Sequence, residues 1–332
     1  MRIASVLYVL MLAGTLVALV AGFLGRLHPV FDSLSHFRFH LAVLAFVAAL
    51  PLLLWNWKVG ALVAAGAVLA AATTSPALHV PVIGMKLGAF APAEPDQPVY
   101  RLLQANLRFD NRTPEAFLSL VGRTKPDVIT LNEVSELWRG KLQVLLAAYP
   151  HSKFCTPARG ARAVAILSRR PFAEGGETVC DRRGAFGHGV FDFGGRTVEI
   201  AALHLGWPWP FGQDRQLDQL KPALGAIGRT ALLAGDMNAT PWSMTVAEVA
   251  QAGGFELMPS PGATWLNRRL PMSLVGLGLP IDQVFAKGDV RVHAITRAGP
   301  FGSDHLPLIV DFSIAPREKT PAREDETDVV AL

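Results

Sequence analysis

Five short segments place polar side chains at the ends of apolar runs: Gln104-Ala105-Asn106-Leu107, Leu131-Asn132-Glu133-Val134, Leu203-His204-Leu205, Gly235-Asp236-Met237-Asn238 and Gly302-Ser303-Asp304-His305. Ile281-Asp282-Gln283-Val284 adds a sixth. Together they supply carboxylates, carboxamides and two imidazoles. Such a set can hold a hard divalent cation through oxygen donors and hydrolyse a phosphate ester. The chemistry calls for it, because an anionic phosphoester repels nucleophiles and its transition state adds charge that a cation stabilises.

The elements that must position these groups follow from the same runs. Apolar stretches of this length read as buried strands, so their polar residues emerge at strand ends, where an α/β fold gathers its chemistry. Strands are expected at 99–106, 128–131, 164–167, 189–193, 197–205, 230–234, 281–286, 290–296 and 306–312. Gly194-Gly195 reads as one hairpin turn and Lys287-Gly288-Asp289 as a second. Helices are expected at 135–148, 213–227 and 242–252, and another opens at Thr113-Pro114-Glu115, with Thr113 as N-cap and Pro114 at the first helical position. Mixed elements on this scale imply an α/β domain of stacked layers.

The order and wording of the segments resemble the endonuclease/exonuclease/phosphatase superfamily over about residues 99–314, and Ala165-Ile166-Leu167-Ser168-Arg169 is similar to one of its core strands. One such motif recurs by chance; five in order are specific. The resemblance implies a four-layer, two-sheet α/β sandwich and a Mg²⁺- or Mn²⁺-dependent phosphoric ester hydrolase. It implies metal ligation by Asn106, Glu133 and Asp304. It also implies that Asp236 orients or deprotonates water, Asn238 donates to a phosphate oxygen, and His204 binds phosphate or protonates the leaving oxygen. His305 would stabilise the transition state or act as base, with Asp282 fixing its tautomer. Where some relatives carry an acidic or amide residue two positions after Asn106, this chain has Arg108, a departure from the abasic-site endonuclease pattern. Arg108 suits either a phosphate contact or a solvated strand end. His188 and His293 read as surface or strand-filling residues.

The first 80 residues are of another kind. Residues 3–25, 41–57 and 59–80 contain no charged side chain, and only Pro51 interrupts the second stretch. A span needs about 20 apolar residues in helical form. Three transmembrane helices are expected, with two as the alternative, followed by a Pro-rich linker at 81–98, the catalytic domain at 99–314 and a charged, disordered tail at 315–332. An odd number of spans puts the termini on opposite sides of a cell membrane, and the Lys/Arg distribution hardly decides which. Cys155 and Cys180 could pair in an oxidising compartment or act as two small apolar residues. The expectation is a multi-pass membrane protein with an extracytoplasmic catalytic domain.

Residues 99–316 hold 23 Lys/Arg against 19 Asp/Glu, four of which are site carboxylates, so the remaining surface attracts an anionic partner. Nucleic acid and phospholipid headgroups both qualify. Two apolar loops, 207–211 and 270–280, adjoin His204 and Asp282 and should border the site. They could stack on bases, dip into a membrane interface, or pack on one another. The readings that follow are a phosphodiesterase or nuclease, a phospholipid-directed phosphodiesterase or phosphatase, and an inactive binding protein that keeps the fold.

Overall fold

The computed structural model describes residues 2–75, 84–156 and 163–316. Helices come first: α1 (Arg2–Ala21), α2 (Pro29–Ser35), α3 (Arg38–Trp55) and α4 (Trp57–Ala72). The catalytic region then runs β1 (Lys86–Leu87), β2 (Tyr100–Asn106), α5 (Pro114–Thr124), β3 (Val128–Val134), α6 (Glu136–Leu142), β4 (His151–Phe154), β5 (Ala163–Ser168), β6 (Thr178–Cys180), β7 (Phe186–Asp192) and β8 (Thr197–His204). It closes with α7 (Gln213–Gly225), β9 (Ala231–Asp236), α8 (Met244–Gly253), β10 (Glu256–Leu257), β11 (Asp282–Lys287), β12 (Val290–Arg297) and β13 (Leu308–Ile314).

Two mixed sheets form, ordered β1-β10-β11-β9-β8-β7-β6 and β12-β13-β2-β3-β5-β4. Their strands read as unbroken apolar runs because both faces are buried. Alternate residues point to opposite faces, so Leu102, Val164, Ile200, Leu232 and Val284 fill the space between the sheets. Leu203 and Leu233 face outward under α7 and α8, and Leu103, Ile129 and Leu167 face α5 and α6. The result is the expected four-layer sandwich.

Several local expectations are corrected. Lys287-Gly288-Asp289 is not a hairpin turn: β11 belongs to the first sheet and β12 to the second, so the chain crosses between them. Gly288 allows that corner, since its φ is +70° and a Cβ there would lie 2.3 Å from Arg229 O. Thr113 does not cap α5 with its side chain; its hydroxyl lies against Asn111 Oδ1 and Phe301 O instead. The stretch from Gly84 to residue 98 is no free spacer. Its β1 pairs with β10, and Ala91 N–H donates to Val292 O. Residues 81–83 of the expected linker, and the tail from 317, lie outside the described residues.

The helical region also departs in detail. Ile3–Ala21 and Arg38–Trp55 are long and apolar enough to cross a membrane. Leu54 is 93% exposed and Ile3 78%, while Ala42, Ala45 and Ala67 pack inside. Of the third expected span, 59–80, residues 76–80 lie outside the described residues; the described part is helical as α4, 16 residues, or about 24 Å against a hydrocarbon core of about 30 Å. Asn56 ends α3 and its side chain accepts from Val59 N–H, which divides the second and third stretches earlier than their composition suggests. Gly60 lets the two helices meet, because a Cβ there would approach Leu53 N to 2.6 Å.

Cys155, next to β4, is disulfide-bonded to Cys180 in β6. These strands end their respective sheets on the same side, so the bond ties the sandwich together at one edge.

Candidate active site

Period-two alternation explains why the polar residues meet. On β2, the row Tyr100, Leu102, Gln104, Asn106 faces the other sheet, and on β3 the row is Val128, Thr130, Asn132. On the facing sheet the rows are Ile200, Ala202, His204 and Leu232, Ala234, Asp236, with Asp282 starting the row that continues through Val284. Each row is apolar in its middle and polar at one end. Register then sets the neighbours: Asn106 beside Asn132, His204 beside Asp236, and Asp236 opposite Asp282.

Asp282 and His305 form the tightest pair, with Nδ1 2.8 Å from Oδ2. The pair orients the ring so that Nε2 lies 3.7 Å from Asp236 Oδ2. His204 Nε2 stands 3.6 Å from the same oxygen. All four side chains are almost wholly buried. Burial alone would depress His305, but the carboxylates of Asp282 and Asp236, with Asp304 beyond, raise it to about 10. At neutral pH it is an imidazolium. Burial raises Asp236 to about 7; the His305 cation opposes that shift and the Asp282 carboxylate adds to it.

Asn106 bridges the sheets by donating through Nδ2 to Asp236 Oδ2 at 2.9 Å and to Glu133 Oε1 at 3.2 Å. Its Oδ1 accepts from Arg108 N–H. In this orientation Asn106 joins two carboxylates through Nδ2, while its Oδ1 is engaged by one backbone N–H. Glu133 also accepts from Phe109 N–H. It has φ +57° at a register shift between β3 and β5, and this bulge turns its carboxylate out of the ladder. Asn238 and Arg108 also have positive φ, +46° and +53°. Three strained non-glycine residues at one end of the domain mark a place where backbone comfort yields to side-chain placement.

Asn238 N–H donates to Asp236 Oδ1, and its Nδ2 donates to Leu205 O at 2.8 Å. The expected donor to phosphate is therefore engaged in holding its own loop. Asp304 Oδ2 accepts from Trp265 Nε1 at 3.3 Å. Arg108 Nε pairs with Asp110 at 2.8 Å.

Two residues in the motifs had no assigned role and prove central. Asn132 Oδ1 accepts from Asp236 N–H and Gln104 Nε2, while Asn132 Nδ2 donates to Leu203 O on the other sheet. Gln104 Nε2 also donates to Asp282 Oδ1. A carboxamide inside an otherwise apolar inward-facing row, two residues before a site asparagine, is the signal that could have found Gln104.

The surroundings reach into the helical region. Asp32, in α2, accepts from Met244 N–H and Thr245 N–H at the start of α8. Thr245 Oγ1 lies 3.0 Å from Gln213 Oε1, and Gln213 Nε2 donates to Met237 O, next to Asp236. His36 Nδ1 is 3.2 Å from Thr240 Oγ1, and Trp242 Nε1 donates to Ser35 O.

Residues 103–305 match the Endonuclease/Exonuclease/phosphatase family. The chain belongs to that family. Members of the Endonuclease/Exonuclease/phosphatase family are phosphoester hydrolases. Solved structures share the fold at low identity. D. rerio TDP2 complexed with single strand DNA product is 17% identical, covering 65% of this chain and 99% of its own, with a TM-score of 0.53. The endonuclease/exonuclease/phosphatase from Beutenbergia cavernae is 21% identical, covering 65% and 72%, TM-score 0.51. That from Bacteroides vulgatus is 16% identical, covering 66% and 100%, TM-score 0.52. No curated protein matches the chain.

A divalent cation fits this donor set. The carboxylates of Asp236 and Asp282 lie in one group with His305, their polar atoms within 4.8 Å of one another, and the Glu133 carboxylate is linked to Asp236 through Asn106. Oxygen donors with this much buried negative charge suit a hard divalent cation.

Proposed function

We propose that this chain is a Mg²⁺- or Mn²⁺-dependent phosphodiesterase or nuclease held at the membrane by its N-terminal helices. The observation that carries the reading is the meeting of Glu133, Asp236 and the Asp282–His305 pair at one end of two facing sheets. Glu133 and Asp304 would hold the ion, which when bound offsets the charge of the phosphoryl oxygens. Asp236, raised towards neutrality by burial, accepts a proton from the attacking water. His305 stays protonated and donates to the phosphoryl group, with Asp282 and Gln104 fixing its orientation. His204 stands on the other side of Asp236, placed to donate to the leaving oxygen. Asn238 acts indirectly by setting the loop after β9. Turnover by the full chain in detergent, against single-stranded DNA, duplex DNA, phospholipids and phosphomonoesters, tests the reading. Hydrolysis of a diester with Mg²⁺ is expected; inertness towards all four classes would refute it.

A phospholipid-directed activity is the second reading, and one observation favours it. Both apolar loops touch the helical region: Ser33 Oγ, in α2, donates to Trp209 O at 3.4 Å, and His40 Nε2, in the first turn of α3, is 2.8 Å from Leu277 O. Phe211 is 76% exposed and Leu277 61%, so apolar surface stands where the helices would leave a bilayer. Trp207 instead packs edge-on against Trp265. On this reading, Phe211→Ser lowers turnover of vesicle lipid and spares a short-chain soluble analogue.

The disulfide supports an oxidising compartment, hence an extracytoplasmic catalytic domain on a multi-pass anchor.

A further inference from the structure

A cavity of about 320 Å³ lies where the helical region meets the catalytic domain, apart from the carboxylate cluster. Phe39 and Ala71 line it from the ends of α3 and α4, and Trp242, Met258 and Leu279 line it from the domain. The wall is continuous with the site by covalent and paired structure. Trp242 follows Asn238 by four residues, and Leu279 is bridged to Trp265, whose indole holds Asp304.

His36 makes this more than an apolar gap. It lines the cavity and is only 3% exposed. Thr240 N–H donates to its Nδ1 at 3.5 Å, with the Thr240 hydroxyl at 3.2 Å, so the ring proton sits on Nε2. That Nε2 is buried and has no partner among the described residues. Burial lowers His36 to about 4; the Asp32 carboxylate opposes the shift and Arg38 adds to it. A neutral donor suits an uncharged carbonyl oxygen, whereas a phosphate or carboxylate would favour the charged ring.

The occupant follows from the place and the lining. Of the helices that form one wall, α3 is long and apolar enough to cross a bilayer; with the chain held in a membrane as proposed above, the cavity at its domain end would face the depth where headgroup meets acyl chain. Its volume equals roughly ten water-sized groups at about 30 Å³ each, the scale of a chain segment rather than of a whole lipid. We propose that the cavity binds one acyl chain of a membrane lipid ester, with His36 Nε2–H donating to the ester carbonyl. The proposal needs no turnover, and it rests on the membrane anchoring proposed above.

The test uses the full chain in phosphatidylcholine nanodiscs doped with a phosphatidylcholine that bears a photoreactive diazirine in one acyl chain. Labelled residues are mapped by mass spectrometry. Label is expected on Phe39, Trp242, Met258 or Leu279, in addition to the lipid-facing surface of α1. Filling the cavity from either wall, by Ala71→Trp or Ala263→Phe, should cut the cavity label at least fivefold and leave the α1 label unchanged. The α1 label and an unaltered unfolding temperature show that each variant is folded and inserted. Label confined to the outer helix faces, or cavity label unaffected in both filled variants, would overturn the proposal. So would labelling by a photoreactive free fatty acid in preference to the ester, because the carbonyl donor would then have no part.

Discussion

In the catalytic domain, buried polar side chains crowd at one end, where Gln104, Asn106, Asn132, Asp236 and Asp282 join in one network between the sheets. In the helical region the side chains of Asp32 and His36, in the short segment joining α1 to α3, turn towards the catalytic domain, as does the backbone carbonyl of Ser35. The first network holds groups that can react; the second holds the backbone that carries them. By its hydrogen bonds, then, the 28–36 segment belongs with the domain, and the helices do more than tether it. An isolated catalytic fragment would lose the partners of Met244 N–H, Thr245 N–H and Trp242 Nε1 together.

Breaking the reactive network should have the largest effect. His305→Ala is expected to lower turnover by about 10²- to 10⁴-fold, the range for a positioned proton donor or acceptor. Because Asp282 acts through His305, the double variant with Asp282→Ala should lose little more than His305→Ala alone. Losses that multiply would show two independent groups.

The sheet-tying disulfide comes next. Closing a loop between Cys155 and Cys180, 25 residues apart, should contribute about 3 kcal/mol, read as a drop in denaturant midpoint on reduction. In intact cells both thiols should resist alkylation until reductant is added. Alkylation without reductant would place the domain in the cytoplasm.

Asp32→Ala probes the second network. It strands two amide donors at the start of α8, at a cost of about 1–3 kcal/mol, measurable as a lower unfolding temperature of the full chain in detergent. An unchanged temperature would mean that the helices only tether.

A further prediction concerns pH. With its folded value raised to about 10 from an ordinary 6.5, His305 contributes stability that is fully present below about pH 6.5 and lost as pH rises through about 10. In chelator, His305→Gln should flatten the decline in stability between these limits; an equal decline in both proteins would count against the raised value.

Much of the site was legible because each strand's inward row ends in a polar residue. Apolar runs led to Asn106, Glu133, His204, Asp236 and Asp282, and Ser303-Asp304-His305 supplied the rest. Orientation was not legible. Nothing in the sequence tells which end of the Asn106 amide faces Glu133, or that Asn238 spends its donor on Leu205 O. The Gly288 corner looks like a hairpin because both flanking runs are apolar, yet only tertiary packing assigns β11 and β12 to different sheets. The segment between the first two apolar stretches carries no motif. Asp32 is nonetheless the sole acidic residue in the first 80, and an acid so isolated among apolar stretches was a sign of a specific partner.

The central claim is that Glu133 and its neighbours bind the ion that hydrolysis requires. The most direct measurement compares Mg²⁺-dependent turnover of the full chain with that of Glu133→Gln, whose side chain keeps its size and loses its charge. The wild type should be silent in excess chelator and recover with Mg²⁺ or Mn²⁺. Glu133→Gln should need far more metal for any activity while unfolding at the wild-type temperature in chelator. Full turnover in chelator, or the same metal dependence in both proteins, would contradict the account.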